Sequence, residues 1–238
     1  MQQQIGITPE STTILSSIAE QLKVPLTTIA RSIELGQLHD DPGLLDMGAL
    51  HLQTQAALTL VDSYLLGLQL LNGQGQLALE PVSVASTLTD TAHELSGFAR
   101  QYNVTLEVQI AGRYGPVMAH HAGLRAALLS LGYGLLATPD EFDDGPRRVV
   151  LAAHRTERGI VAGLYGEHGP TASQWRKALE LCGRARQPLA TLAASSGAGL
   201  FVADAILQAM ATRLRVGRHH RQVGLATTLL PSQQLRLV

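Results

Sequence analysis

Two glycines stand just ahead of an apolar run in Ser195-Ser196-Gly197-Ala198-Gly199-Leu200. Backbone amides freed by glycine and carried into a helix amino end suit a phosphate group. A glycine loop is a weak signal by itself and needs support from elsewhere in the chain. Histidine occurs in two adjacent pairs, His120-His121 and His219-His220. Neighbours point about 100° apart on a helix and to opposite faces on a strand, so one pair does not chelate a metal. Cys182 is the only cysteine, which excludes a disulfide framework and any multi-cysteine zinc or iron–sulfur site. It reads as a small core residue. Neither a Gly-x-Ser-x-Gly elbow nor a phosphate-binding P-loop is present. Arg213, Arg215, Arg218, His219, His220 and Arg221 make a basic stretch, but with almost no aromatic interleaving it reads as a solvated strand and turn. No nucleic-acid partner is expected.

The elements that must position these residues follow from hydrophobic spacing. Thr8-Pro9-Glu10 supplies a capping hydroxyl, a first-turn proline and an acid at the positive end of a helix. Ile14, Ile18, Leu22, Leu26, Ile29 and Ile33 then recur at intervals of three and four, one stripe of a helix that Pro25 should bend and that ends near Gly36. His39-Asp40-Asp41-Pro42-Gly43 is a polar turn. A second helix is predicted from Leu44 to about Leu71, with Leu50, Leu58, Val61, Leu65 and Leu68 on its apolar face. The two make an antiparallel hairpin within residues 1–75. Two helices cannot bury a wide apolar face alone. A second copy of the chain completing a four-helix bundle is the expectation, and packing on the rest of the chain is the alternative.

Gln74-Gly75-Gln76 links the hairpin to a second module, residues 76–238. There the pattern predicts helices at Val84–Gln101, Leu124–Leu136 and Gly199–Met210, and a strand at Val104–Ile110. A hairpin of Arg148–His154 and Gly159–Gly163 turns at Thr156-Glu157-Arg158-Gly159. Closing strands fall at Leu214-Arg215-Val216 and Gly224–Leu230. This order is a sheet covered by helices, an α/β sandwich, which makes the whole chain α+β.

With 238 residues, one or two domains with a buried core can form. Hydrophobic residues at 45% and charged residues at 16% exclude a disordered polyelectrolyte, and a net charge of −1 excludes a general polyanion binder. Residues 1–110 hold 3 basic and 11 acidic side chains, residues 111–238 hold 15 and 8. That asymmetry fits two modules with different surfaces, or faces that dock on each other. The opening Met1-Gln2-Gln3-Gln4 lacks the basic region and apolar run of a signal peptide, and Asp62, Ser63 and Gln69 interrupt the richest apolar run, Ala56 to Leu71. No membrane span is expected, and the cytoplasm is the expected compartment.

In the order and spacing of its segments, from about Ile14 to Pro231, the chain resembles a sensor histidine kinase core. It looks like a dimerisation and histidine-phosphotransfer hairpin followed by an ATP-binding domain of the GHKL, or Bergerat, type. Glu20-Gln21-Leu22-Lys23-Val24-Pro25-Leu26-Thr27 is similar to the family's phosphoacceptor box, normally His-Glu-Leu-Arg-Thr-Pro-Leu-Thr. Glu20 stands at the phosphoacceptor position, and a carboxylate cannot replace imidazole as a phosphoramidate-forming nucleophile. The Leu124–Leu136 helix resembles the family's asparagine box. The asparagine that binds the phosphate-bridging magnesium falls on Gly134, and the earlier asparagine on Ser130. Glycine offers magnesium no side-chain oxygen, so phosphoryl transfer loses its main electrostatic clamp. Gly132 and Gly134 otherwise read as sites of close helix packing.

Glu167-His168-Gly169-Pro170-Thr171-Ala172 is similar to the first glycine box, usually Asp-x-Gly-x-Gly. The resemblance makes Glu167 the acid that faces adenine, reaching about 1.5 Å further than aspartate, and Thr171 replaces the second glycine. Ser195–Leu200 resembles the second glycine box, Gly-x-Gly-x-Gly-Leu, with Gly197 and Gly199 kept and Ser195 at the first glycine. The departures agree in direction: framework residues are kept while phosphate chemistry is lost. The resemblance therefore implies a catalytically impaired kinase-like protein with no catalytic residue and no metal site. Its vestigial nucleotide pocket comprises Ser130, Gly134, Glu167, Gly169, Gly197 and Gly199. No cofactor is expected, ATP or ADP with magnesium being the ligand to test. The implied role is a dimeric scaffold or regulator in two-component signal transduction, partnered by a response regulator or a related histidine kinase. The alternative is a divergent ATP-dependent histidine kinase or phosphotransfer protein, with His39 or His51 in place of the missing phosphoacceptor.

Overall fold

The computed structural model describes residues 22–23, 25–35, 46–71, 77–137, 147–166, 171–181 and 194–232. Residues 25–35 form helix α1, and α2 spans Met47–Leu71. Because α2 carries apolar residues all round, its sequence alone does not select the buried side. The side it buries holds mostly small residues and polar ones: Gln53, Ala56, Ala57, Leu60, Ser63 and Tyr64. Leu58 and Leu65, expected on the covered face, are 60% and 53% exposed. Closeness is the reason. Gly67 lets α2 approach until a Cβ there would lie 3.2 Å from Val202, and a Cβ on Gly97 would meet Leu52 at 2.6 Å. At that separation the buried side takes few large side chains, Leu60 and Tyr64 among them. Leu22 packs on the main core, whereas Leu26 and Ile33 of α1 are exposed. The expected helix start at Thr8, the stripe positions Ile14 and Ile18, the turn at His39–Gly43 and the link at Gln74–Gln76 lie outside the described residues.

The chain continues through β1 (Glu80–Val82), α3 (Val84–Gln101), β2 (Val104–Ala111), β3 (Val117–Ala119), α4 (His121–Ala137), β4 (Arg147–Thr156), β5 (Gly159–Gly166), α5 (Ala172–Leu181), α6 (Ala194–Ala209), β6 (Arg215–His219) and β7 (Gln222–Leu229). Ser83 caps α3 by accepting from the Ser86 amide at 3.3 Å. The helix stops where Asn103 takes the left-handed φ of 52°. Five strands make one sheet in the order β2-β4-β5-β7-β6. β2 runs parallel to β4 by a crossover through α4, and the other pairs are antiparallel. β1 and β3 form a separate antiparallel pair, which three-residue strands are too short to announce by alternation.

The architecture is thus α+β. Helices α3, α4, α5 and α6 cover one face of the sheet, and α2 lies on α3, α4 and α6 as a further layer. One core cluster runs from Ala56 and Leu60 through Leu95 and Leu129 to Leu164 and Leu225. The opposite face of the sheet buries a smaller set, Val150, Ala152, Tyr165 and Ala226.

Candidate functional site

Helix α4 turns Leu131, Gly134 and Leu135 into a cleft closed by Leu164 of β5, Trp175 of α5, Leu200 of α6 and Leu225 of β7. The cleft encloses about 300 Å³, open solvent included. Apart from the Trp175 indole, none of these side chains carries nitrogen or oxygen. Ser130, one turn before Gly134, is fully buried, and its hydroxyl has no hydrogen-bond partner among the described residues. Magnesium takes several hard oxygen ligands and keeps much of its water. A hydroxyl sealed in the core and a glycine do not meet that need, so the described lining does not fit a magnesium–nucleotide group. Gly132 has a packing task instead: a Cβ there would run into Leu95 of α3.

Thr171, the residue in place of the second glycine of its box, starts α5. Its amide donates to Gln174 Oε1 at 2.7 Å and its hydroxyl accepts from the Gln174 amide at 3.4 Å, a reciprocal cap. The helix so begun carries Trp175, 4% exposed, into the cleft. Sequence reading anticipated neither α5 nor its tryptophan. The signal was there in Thr-x-x-Gln ahead of Trp175 and Ala178. Helix α6 begins at Ala194, ahead of the expected Gly199, so Ser195–Gly199 are helical and do not form a loop in front of it. The buried Leu200, Val202, Ala203 and Ile206 draw the whole run onto the core. Gly197 falls in the first turn. Gly199 lies deeper, where amides bond to carbonyls four residues back. Glu20, His39, Glu167, Gly169 and Cys182 lie outside the described residues. His51 is exposed on α2. His120 caps α4, its Nδ1 accepting from the Gly123 amide at 3.0 Å.

A second polar group sits on the outer face of the sheet. His219, 7% exposed, places Nε2 2.9 Å from Gln109 Oε1. Its ring lies 5.9 Å from that of His154, 5.3 Å from that of Tyr165 and 4.5 Å from that of His220. Burial lowers the His219 pKa, with the positive charge of His220 and then His154 adding to the effect. Burial pushes the Tyr165 hydroxyl up to about 12. The hydrogen bond from Arg148 holds the Glu107 carboxyl below its usual range. His154 escaped the sequence reading because nothing local connects it to His219. Among the described residues no three His, Cys, Asp or Glu side chains converge as a metal ion requires, and no helix is long and apolar enough to cross a membrane.

No protein-family model matches the chain, and no curated protein does. Solved structures do. Histidine kinase AdeS of Acinetobacter baumannii superposes with a TM-score of 0.55 at 14% identity, over 90% of this chain and 98% of that one. Histidine kinase ThkA in complex with response regulator protein TrrA gives 0.53 at 13%, over 90% and 59%. Full-length ShkA in complex with AMPPNP gives 0.51 at 16%, over 76% and 39%. The chain has the fold of a histidine-kinase core, and at these identities the likeness speaks of fold.

Proposed function

From the premise of that fold, we propose that this chain is a catalytically impaired histidine-kinase-like protein that serves two-component signalling as a dimeric scaffold or regulator. Residues 1–75 act as the dimerisation module and residues 76–238 as a degenerate ATP-binding-type module. One observation carries the reading. Among the described residues, the cleft where the resemblance places ATP is lined by leucines, a glycine and Trp175, and Gly134 supplies no side-chain oxygen at the magnesium asparagine's position. Phosphoryl transfer is almost wholly positioning and charge neutralisation, so it does not survive without that clamp. Glu20 at the phosphoacceptor position points the same way. The dimer rests on the uncovered side chains of Leu26, Ile33, Leu58 and Leu65, which the hairpin of a second copy would bury as a four-helix bundle. The partner class, a response regulator or a related histidine kinase, follows by analogy with ThkA, solved with its response regulator.

Calorimetric titration with a non-hydrolysable ATP analogue, with and without magnesium, tests the lost activity. Trp175, the only tryptophan, reports from within the cleft by its fluorescence. The expected result is no magnesium-dependent heat and no change in emission. Tight magnesium-dependent binding, or acid-labile phosphate on a histidine such as His51 after incubation with labelled ATP, overturns the reading in favour of a divergent kinase or phosphotransfer protein. Light scattering should give twice the 25.4 kDa chain mass, falling to one chain in a Leu58→Glu, Leu65→Glu double variant. A single-chain mass in the unaltered protein removes the dimer.

A further inference from the structure

The tip of the β6–β7 hairpin folds over the outer face of the sheet. Although β6 is one edge strand, His219 at its end bonds Gln109 on β2, the opposite edge. Two glycines allow the fold-over. Gly217 and Gly224 are register partners, and a Cβ on Gly217 would lie 3.2 Å from the Tyr165 ring beneath. His220, first in the two-residue turn, takes a φ of 51°, where glycine is the usual choice. An imidazole is held there at a backbone cost.

The hydrogen bonds fix where the protons are. Arg148 donates to Glu107 Oε2 at 2.6 Å, and Gln109 Nε2 donates to the same oxygen at 3.2 Å. Gln109 Oε1 is left to accept, so neutral His219 already carries its proton on Nε2. Another proton must go to Nδ1, making a buried cation. The charged groups around it offer little relief. On the hairpin they are the exposed Arg215, Arg218, His220 and Arg221, all basic. From β4 they are His154 and Arg148. From β2 comes Glu107, already engaged by Arg148 and reached only through Gln109. From β5 comes Tyr165, whose buried hydroxyl has no hydrogen-bond partner among the described residues.

We propose that the tip of this hairpin is an acid-released clasp, shut over the sheet while His219 is neutral and lifted from Gln109, His154 and Tyr165 when His219 is charged. The clasp stands apart from nucleotide chemistry and from the signalling role. Its sign follows from linkage. Burial sets the His219 pKa below the ordinary 6.5, so the open form binds more protons than the closed one. Closure is fully supported above pH 6.5 and weakens as the pH falls through the closed-state value.

Imidazole titration by NMR, together with amide exchange on the full chain, tests the clasp between pH 8 and 5. His219 should titrate below 6.5. Protection factors across residues 217–224 should fall relative to those of α4 between pH 7 and 5, as the open form takes up the proton that the closed form resists. His219→Gln keeps a donor for Gln109 and cannot charge, so its hairpin protection should stay flat. His154→Phe removes one neighbouring imidazole and should raise the His219 pKa, which keeps the test alive if His219→Gln fails to fold. A His219 titrating at or above 6.5, unaltered relative protection in the unmodified chain, or the full loss in His219→Gln overturns the clasp.

Discussion

Behind the five-stranded sheet lie α3, α4, α5 and α6, with α2 above them, and nearly every large buried side chain. In front lies a small apolar cluster, Val150, Ala152, Tyr165 and Ala226, beside a hairpin tip that buries His219 and Gln222. The same strands feed both sides by alternation: Val149, Leu151 and Ala153 join the inner core while Val150 and Ala152 join the outer cluster. The inner side is closed by shape, with Gly67, Gly97 and Gly132 receiving side chains from facing helices. The outer side is closed by hydrogen bonds and imidazoles. On the function proposed above, the contrast is one of a fold that loses one kind of chemistry and keeps another. Among the described residues, the apolar lining of the inner cleft gives phosphate and magnesium no charged side chain and no side-chain oxygen. An outer face held by a protonatable ring stays responsive, since proton binding changes a contact that closes it.

Four variants sharpen the contrast. Trp175→Ala should lose about 4 kcal/mol by emptying the wall of the cleft, read from chemical denaturation. Leu95→Ala should lose about 3 kcal/mol, equally at pH 7 and pH 5, because Leu95 is fully buried in the apolar core cluster. A loss that grew with acid would blur the division between the faces. Thr171→Ala should remove the cap of α5 and cost about 1 kcal/mol, leaving Trp175 emission shifted towards that of an exposed indole. On the outer face Tyr165→Phe should change stability by no more than about 0.5 kcal/mol, since its hydroxyl has no partner among the described residues. Acid titration adds a further check. With its folded-state value lowered by Arg148, Glu107 supports the fold above its ordinary 4.5, and that support fades as the pH falls through the folded-state value. Glu107→Gln should flatten that limb of the curve. An unchanged limb would assign it to other carboxylates.

Where periodicity is strong and local, sequence and structure agree. The residues read as the helix Val84–Gln101 are those of α3, and the hairpin turning at Thr156–Gly159 is present. The cleft was legible only through the missing oxygen at Gly134. What fills it was not, because Trp175 reaches it from a helix started by Thr171, in a segment that reads as loop. The ordering of the kinase-like segments likewise came from spacing, and the solved histidine kinases share the resulting fold.

Sequence by itself determined the elements, their order and the absence of a side-chain oxygen at Gly134, since these depend on residues close in the chain. Only the tertiary structure decided which side of α2 is buried, that Ser195–Gly199 coil into α6, and that His154, Gln109 and His219 meet. A stripe of leucines states how much apolar surface must be covered, but the shape of the facing surface decides which stripe fits. Meetings across a curled sheet depend on its twist and on glycines at its bends, and spacing along one strand holds no record of either.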